Sequence, residues 1–166
     1  MGKFSSNVVA EQAHLMFWFP IERHQTTLDA LTAMDWRVDP VPLIWHKSDN
    51  TGILPDPNRS ARRIYETAFM ASRGDRKIVQ AVGNVIAGQV TKSIHMREKP
   101  KPVLRHSFRM FVDESTRMLD PTCGSGNAVA VAEDMGVSSV LGLEIDPEFC
   151  ERAQAAFASG KEPVVA

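Results

Sequence analysis

Apolar residues along the chain fall into short runs and helical repeats, separated by polar stretches rich in glycine and proline. Residues 14–19 (HLMFWF) are a continuous apolar run closed by Pro20, short enough for a buried strand. Residues 26–36 carry Leu28, Leu31 and Met34 at helical spacing, with Thr26 or Thr27 as the cap. Residues 43–46 (LIWH) read as a second strand. The stretch from Lys47 to Ser60, rich in Asp, Asn, Gly and Pro, reads as a loop long enough to carry function. Residues 63–72 (RIYETAFMAS) fit helix and strand alike, and Gly74-Asp75 marks a turn. Residues 78–98 have weak periodicity and two glycines, which predicts a mobile segment.

The pattern sharpens in the last third. Residues 102–112 predict a helix, 117–120 (RMLD) a short strand, 121–126 (PTCGSG) a glycine turn and the Ala/Val-rich 127–135 a helix. Residues 138–145 (SSVLGLEI) predict a strand and 147–158 a helix with Pro147 in its first turn, the favoured place for proline. Val164 and Val165 start one more strand. Strand, glycine turn, helix, strand, helix is the opening of a parallel α/β sheet.

Composition places the chain among globular proteins. Its 166 residues are 43% apolar and 23% charged, which excludes a disordered chain, a collagen or a disulfide scaffold. A domain of this size hides roughly 70% of its unfolded surface. No apolar run reaches the roughly 18 residues of a membrane span, and Met1–Ala10 does not read as a signal peptide. Two cysteines, Cys123 and Cys150, suggest a reducing cytoplasm. The net charge of −1 conceals a strong asymmetry. Residues 59–109 carry 12 Lys+Arg against 3 Asp+Glu, net +9, flanked by −3 before and −7 after. A basic middle of this size is either the footprint of a polyanion or a solvated face paired with the acidic end.

The chemistry concentrates at Asp120-Pro-Thr-Cys-Gly124-Ser-Gly126, between a predicted strand and a predicted helix. Glycines there allow a tight turn and the close approach of a ligand, and the following helix offers free N–H groups. Glu144 follows Gly126 by 18 residues at the end of the next strand, where nucleotide-binding α/β folds put an acid on ribose hydroxyls. The glycines alone fit an ordinary strand-to-helix turn; the strand context, Asp120 and Glu144 together favour a nucleotide site.

These residues resemble a known family. Asp120-Pro-x-x-Gly124-Ser-Gly126, followed by Gly142-Leu-Glu144-Ile-Asp146-Pro-Glu-Phe, resembles the S-adenosylmethionine-binding half of amino-group DNA methyltransferases, the N6-adenine and N4-cytosine enzymes. His95, Lys99-Pro100 and Leu104 are similar to that family's cofactor-pocket entry, and Leu43–Lys47 and Arg63–Thr67 to its later strands. Catalytic half before cofactor half resembles the permuted β-type order, and the relatives this implies are expected among phage-type adenine methyltransferases. The resemblance covers roughly residues 14–158 and is strongest over 95–150. It implies an α/β, Rossmann-like S-adenosylmethionine-dependent methyltransferase sheet, partial in this chain. Residues 8–76 would be the remainder of the catalytic half, 77–98 a mobile connector and 99–166 the cofactor-binding half.

The resemblance also implies roles. Asp120 would face the methionine amino group, and Pro121, Thr122, Cys123, Gly124, Ser125 and Gly126 would wrap the cofactor. Glu144 would accept both ribose hydroxyls, while Lys99 and Pro100 would shape the methionine end. Thr122 stands where the family usually has Phe, and Asn127 where it usually has Thr. DNA would be the macromolecular partner. Arg59, Arg62 and Arg63, clustered after the polar loop, are candidates for gripping its phosphates or else form a solvated face.

One element of the family is missing. Its catalytic strand ends in Asp, Asn or Ser, then Pro-Pro and an aromatic that stacks on the flipped base. The nearest approach is Asp39-Pro40-Val41-Pro42, which lacks the adjacent prolines and the aromatic. The expectation is therefore the C-terminal part of a longer enzyme, with the catalytic motif before Val8 and the last strand cut short after Val165. Two central strands would be left with open edges, to be filled by the missing catalytic segment or by a second copy. A non-catalytic cofactor- or nucleic-acid-binding module, or an RNA or protein methyltransferase, are the alternatives. Five histidines and two cysteines show no metal-ligand spacing. Trp18, Trp36 and Trp45 read as core, Cys123 as a small packing residue, and Tyr65 takes no assigned role.

Overall fold

In a computed structural model of the chain, residues 9–91 and 98–159 are described; His95 and the strand expected at Val164-Val165 lie outside them. The elements are β1 (Ala13–Phe19), α1 (His24–Thr32), β2 (Arg37–Val38), β3 (Leu43–Lys47), β4 (Tyr65–Arg73), β5 (Val85–Gly88), α2 (Lys101–Phe108), β6 (Arg117–Asp120), α3 (Asn127–Asp134), β7 (Ser139–Gly142) and α4 (Pro147–Ser159). They divide into two units, 1–78 with 83–87, and 79–82 with 88–166.

The first unit is built around β4, the stretch whose pattern fits helix and strand alike. Thr67, Ala68, Phe69, Met70 and Ala71 are buried in succession, so the two-residue alternation that marks a half-exposed strand never appears. β4 runs antiparallel to β1 on one side (Phe19↔Thr67) and to β3 on the other (Leu43↔Ala68). The sheet order is β1-β4-β3-β5, with the two-residue β2 also on β4. Phe19, Leu31, Trp36, Phe69 and Ala71 form a buried cluster that seats α1 on the sheet, with the Phe19 and Phe69 rings stacked at 4.1 Å. Trp45 is fully buried in β3. β1, an apolar strand of seven residues, borders this sheet.

Three expectations need correction here. α1 begins at His24, before both threonines, and Arg23 at its N-cap makes no side-chain cap bond. It also stops at Thr32, because Asp35 adopts a left-handed conformation (φ 63°) and Trp36 N–H turns back to the Leu31 carbonyl. The expected mobile connector contains β5, which Ile44 N–H and Asn84 O tie to β3 at 2.7 Å; residues 92–97 of that stretch lie outside the described ones. Lys47–Ser60 is a loop as expected, but it is braced. Asp49 and Asp56 each cap their own turn by accepting an N–H two residues on, and Ile53 pairs with Arg63. Gly52 permits this, since a Cβ there would fall 2.1 Å from the Arg63 carbonyl oxygen.

The second unit follows the predicted order. β6 and β7 are parallel, in register from Arg117↔Ser139 to Asp120↔Gly142. Among the described residues they form a two-stranded sheet. α2 and α3 pack on each other, and Val103, Leu104, Phe108, Val131 and Ala132 on them are buried. No helix among the described residues is long and apolar enough to cross a membrane.

Candidate nucleotide site at the end of the parallel strands

β6 ends at Asp120, and the chain turns at once. The Asp120 carboxylate accepts the Thr122 N–H at 3.0 Å, closing the first half of the turn. Gly126 N–H bonds the Cys123 carbonyl at 2.8 Å and closes the second half. Gly124 (φ 52°) and Gly126 (φ 79°) both lie in the left-handed region, which only glycine enters freely. Nothing lies within 4 Å of where a Cβ on Gly124 would sit, so the backbone there is open to a ligand.

The sequence pattern carries β7 on to Ile145, but the ladder ends at Gly142. The next residues leave the strand to build the site. Leu143 N–H bonds the Asp120 carbonyl (2.8 Å), and Cys123 N–H bonds the Leu143 carbonyl (2.9 Å). Glu144 then faces the turn. One carboxylate oxygen accepts Gly124 N–H at 2.9 Å, and the other accepts Asp146 N–H at 3.0 Å. Asp146 in turn accepts Glu148 N–H at 2.9 Å and so caps α4, with Pro147 at its first position as predicted. Ile145, the residue after Glu144, is 98% exposed.

The turn sits over Gly142 because glycine leaves room for it. A Cβ on Gly142 would meet Cys123 Sγ at 2.9 Å and Val129 Cγ2 at 2.8 Å. Cys123 is thus a packing residue, and its thiol is pushed up, first by burial and then by the charges of Asp120 and Glu144. That is the opposite of what a nucleophilic cysteine needs.

Lys99 and Pro100 belong to the same unit. Pro100 caps α2, and the Lys99 carbonyl accepts a hydrogen bond from Asn127 Nδ2 at 3.0 Å. A short polar residue at 127 suits a helix cap, but Asn127 is the first residue of α3, and Gly126 occupies the N-cap. The Asn127 amide instead reaches Glu98, whose Oε1 accepts at 2.6 Å. Sequence reasoning missed Glu98. Its one signal is that it is an acid beside Lys99-Pro100 in the strongly basic middle of the chain.

The remaining candidates lie in the first unit. Arg59, Arg62 and Arg63 are exposed, at the end of the sheet where β1 and β3 finish and β4 starts. Arg63 pairs with Glu22 (3.1 Å), Arg59 with Asp56 (3.2 Å), and Arg62 donates to the Gly52 carbonyl. Asp39 is exposed and accepts the Val41 N–H at 2.9 Å, in a turn at the amino end of β3.

No protein-family pattern matches the chain, and no curated protein sequence does. Solved structures do. The crystal structure of the M1.HpyAVI–SAM complex superposes with a TM-score of 0.76 at 16% identity, covering 90% of this chain and 76% of that one. The PvuII DNA methyltransferase (cytosine-N4-specific) matches at 0.67 and 14%, covering 93% and 65%. TTHA0409, a putative DNA modification methylase from Thermus thermophilus, matches at 0.67 and 19%, covering 92% and 70%. At such identities the likeness is one of fold: the chain has the mixed α/β fold of these methyltransferases.

The Asp120 carboxyl is held above its ordinary value of 3.8, chiefly by burial, with Glu144 adding to the rise and the Thr122 N–H opposing it. Folded Asp120 therefore binds its proton more tightly than the unfolded chain does. The stability this contributes is full below the ordinary value and is lost as pH rises through the folded one. Asp120→Asn keeps an acceptor for Thr122. It should melt above the wild type at about pH 7 and lose that advantage as pH falls to about 4. Thermal unfolding at the two pH values checks this; parallel curves would contradict it.

Proposed function

We propose that the chain binds S-adenosylmethionine at the turn between β6 and α3, as part of an enzyme that methylates an exocyclic amino group of DNA. Adenine N6 is the proposed target in preference to cytosine N4. The observation that carries the reading is the Glu144 carboxylate, bonded to the Gly124 amide at the carboxyl end of a parallel strand pair. Open α/β sheets bind their ligands at that end, and the neighbours in fold support the choice of chemistry: one is a complex with SAM, and two are named as DNA methylases.

The residues fit the cofactor. Each Glu144 oxygen spends one acceptor position on a backbone amide. A carboxylate is a pure acceptor with about four positions, the chemical complement of two ribose hydroxyl donors. Asp120 and Glu144 together make a negative pole for a ligand with a sulfonium and an ammonium group. Gly124 leaves the backbone open. When bound, the cofactor supplies a methyl group activated by positive sulfur. The chain's own part is to hold and orient that ligand, with Lys99 and Pro100 at its methionine end. Arg59, Arg62 and Arg63 would take DNA phosphates, at the end of the first sheet where β1 and β3 finish.

Three outcomes test this. Glu144→Ala should weaken S-adenosylmethionine binding by about 1–3 kcal/mol in calorimetry, the cost of hydrogen bonds to a charged group; equal affinity would remove the assignment. Replacing Arg59, Arg62 and Arg63 by alanine should weaken DNA binding on all sequences and flatten its salt dependence by up to about one unit of slope per lost contact. Residues 1–166 contain no Asp-, Asn- or Ser-Pro-Pro-aromatic element. They should therefore transfer no radiolabelled methyl to mixed-sequence DNA, even while binding the cofactor. Turnover abolished by Asp120→Ala would put the catalytic centre inside this chain, and Asp39-Pro40-Val41-Pro42 would be the first segment to mutate.

A further inference from the structure

Two segments of the candidate cofactor site, 98–100 and 121–126, lie far apart in sequence, and one side chain ties them together. Asn127 is 8% exposed and Glu98 7%. The single amide nitrogen of Asn127 donates to Glu98 Oε1 at 2.6 Å and to the Lys99 carbonyl at 3.0 Å. A carboxylate this deep is costly unless it is bonded. The Asn127 side-chain amide, at the start of α3, supplies such a bond.

We propose that Glu98 and Asn127 are a positioning pair, fixing Lys99 and Pro100 against the glycine turn so that both segments form one preformed wall for the methionine end of S-adenosylmethionine. This rests on the cofactor reading above. The pair is not all that docks the two helices: α2 and α3 pack on each other, carry buried Val103, Leu104, Phe108, Val131 and Ala132, and are joined by the Arg105–Asp134 ion pair at 3.0 Å. An apolar pair of similar shape would serve packing as well. The polar pair adds direction: one donor on two acceptors in successive residues sets both the position and the rotation of the 98–99 backbone. A binding wall ordered before the ligand arrives spares the ligand the cost of ordering it.

The test is calorimetry of S-adenosylmethionine binding to the full 166-residue chain, with thermal unfolding of each variant. Glu98→Gln keeps the acceptor oxygen and should bind within about threefold of the wild type, whereas Glu98→Ala and Asn127→Ala should each lose about tenfold or more. The double alanine variant should lose little more than either single one, because the two side chains act as a unit. Val103→Ala, a buried change on α2, should lower the melting temperature and leave affinity unchanged. Wild-type binding with Glu98→Ala unaffected would overturn the positioning role alone. So would a Val103→Ala variant that loses as much affinity as Glu98→Ala. A wild type that does not bind at all would remove the cofactor reading, and this role with it.

Discussion

The geometry of the second unit depends on where the Glu144 carboxylate is held. Its two oxygens join the glycine turn at Gly124 to the approach of α4 at Asp146. The Gly124 contact, which crosses from one strand's end to the other's, would not survive a change of register between β6 and β7. Side chains alternate faces along a strand, so a slip of one residue would turn Gly142 away from the turn it accommodates and put a side chain in its place. The Asp120↔Gly142 pairing prevents this, and it is stabilised by the fit of Cys123 and Val129 over a position with no side chain. A larger residue at 142 would push the turn off the strand it rests on.

Holding two acids in this turn works against stability. Burial raises the Asp120 carboxyl, and the Glu144 charge raises it further. Sites that carry such a cost are disproportionately sites of function, and here the cost has a specific remedy. A cationic ligand would offset that repulsion. On the proposed reading, the feature that destabilises the free chain is the one that gives the ligand its affinity.

The second unit is legible in the sequence because its signals are local. Strand, turn and helix from Arg117 to Asp134 are set by residues adjacent in sequence, and the two glycines with left-handed backbone fall where the turn needs them. Legibility fails wherever a long-range contact decides. β4 cannot be told from a helix because coverage on both faces erases its period. β5 looks mobile because its reason to exist is β3, some forty residues earlier. Thr26 and Thr27 look like caps, yet the turn at Ile21–Arg23 starts the helix before them. Glu98 gives only a faint signal because its partner, Asn127, reads as a capping residue when only its neighbours are considered.

Charge gives the clearest link from composition to function. The basic middle and acidic end of the chain do not simply neutralise each other. Arg105 does meet Asp134, but Arg59 and Arg63 are answered by Asp56 and Glu22 in the first unit and stay exposed. Such exposed pairs contribute little to stability and give way readily to a stronger anion. Asp120 and Glu144, by contrast, are held by backbone amides. An amide donor fixes a carboxylate without neutralising it. The chain therefore presents a fixed acidic site on one unit and exchangeable arginines on the other. On the proposed reading, those are the two kinds of charge required by a reaction whose donor is a cation and whose acceptor is a polyanion.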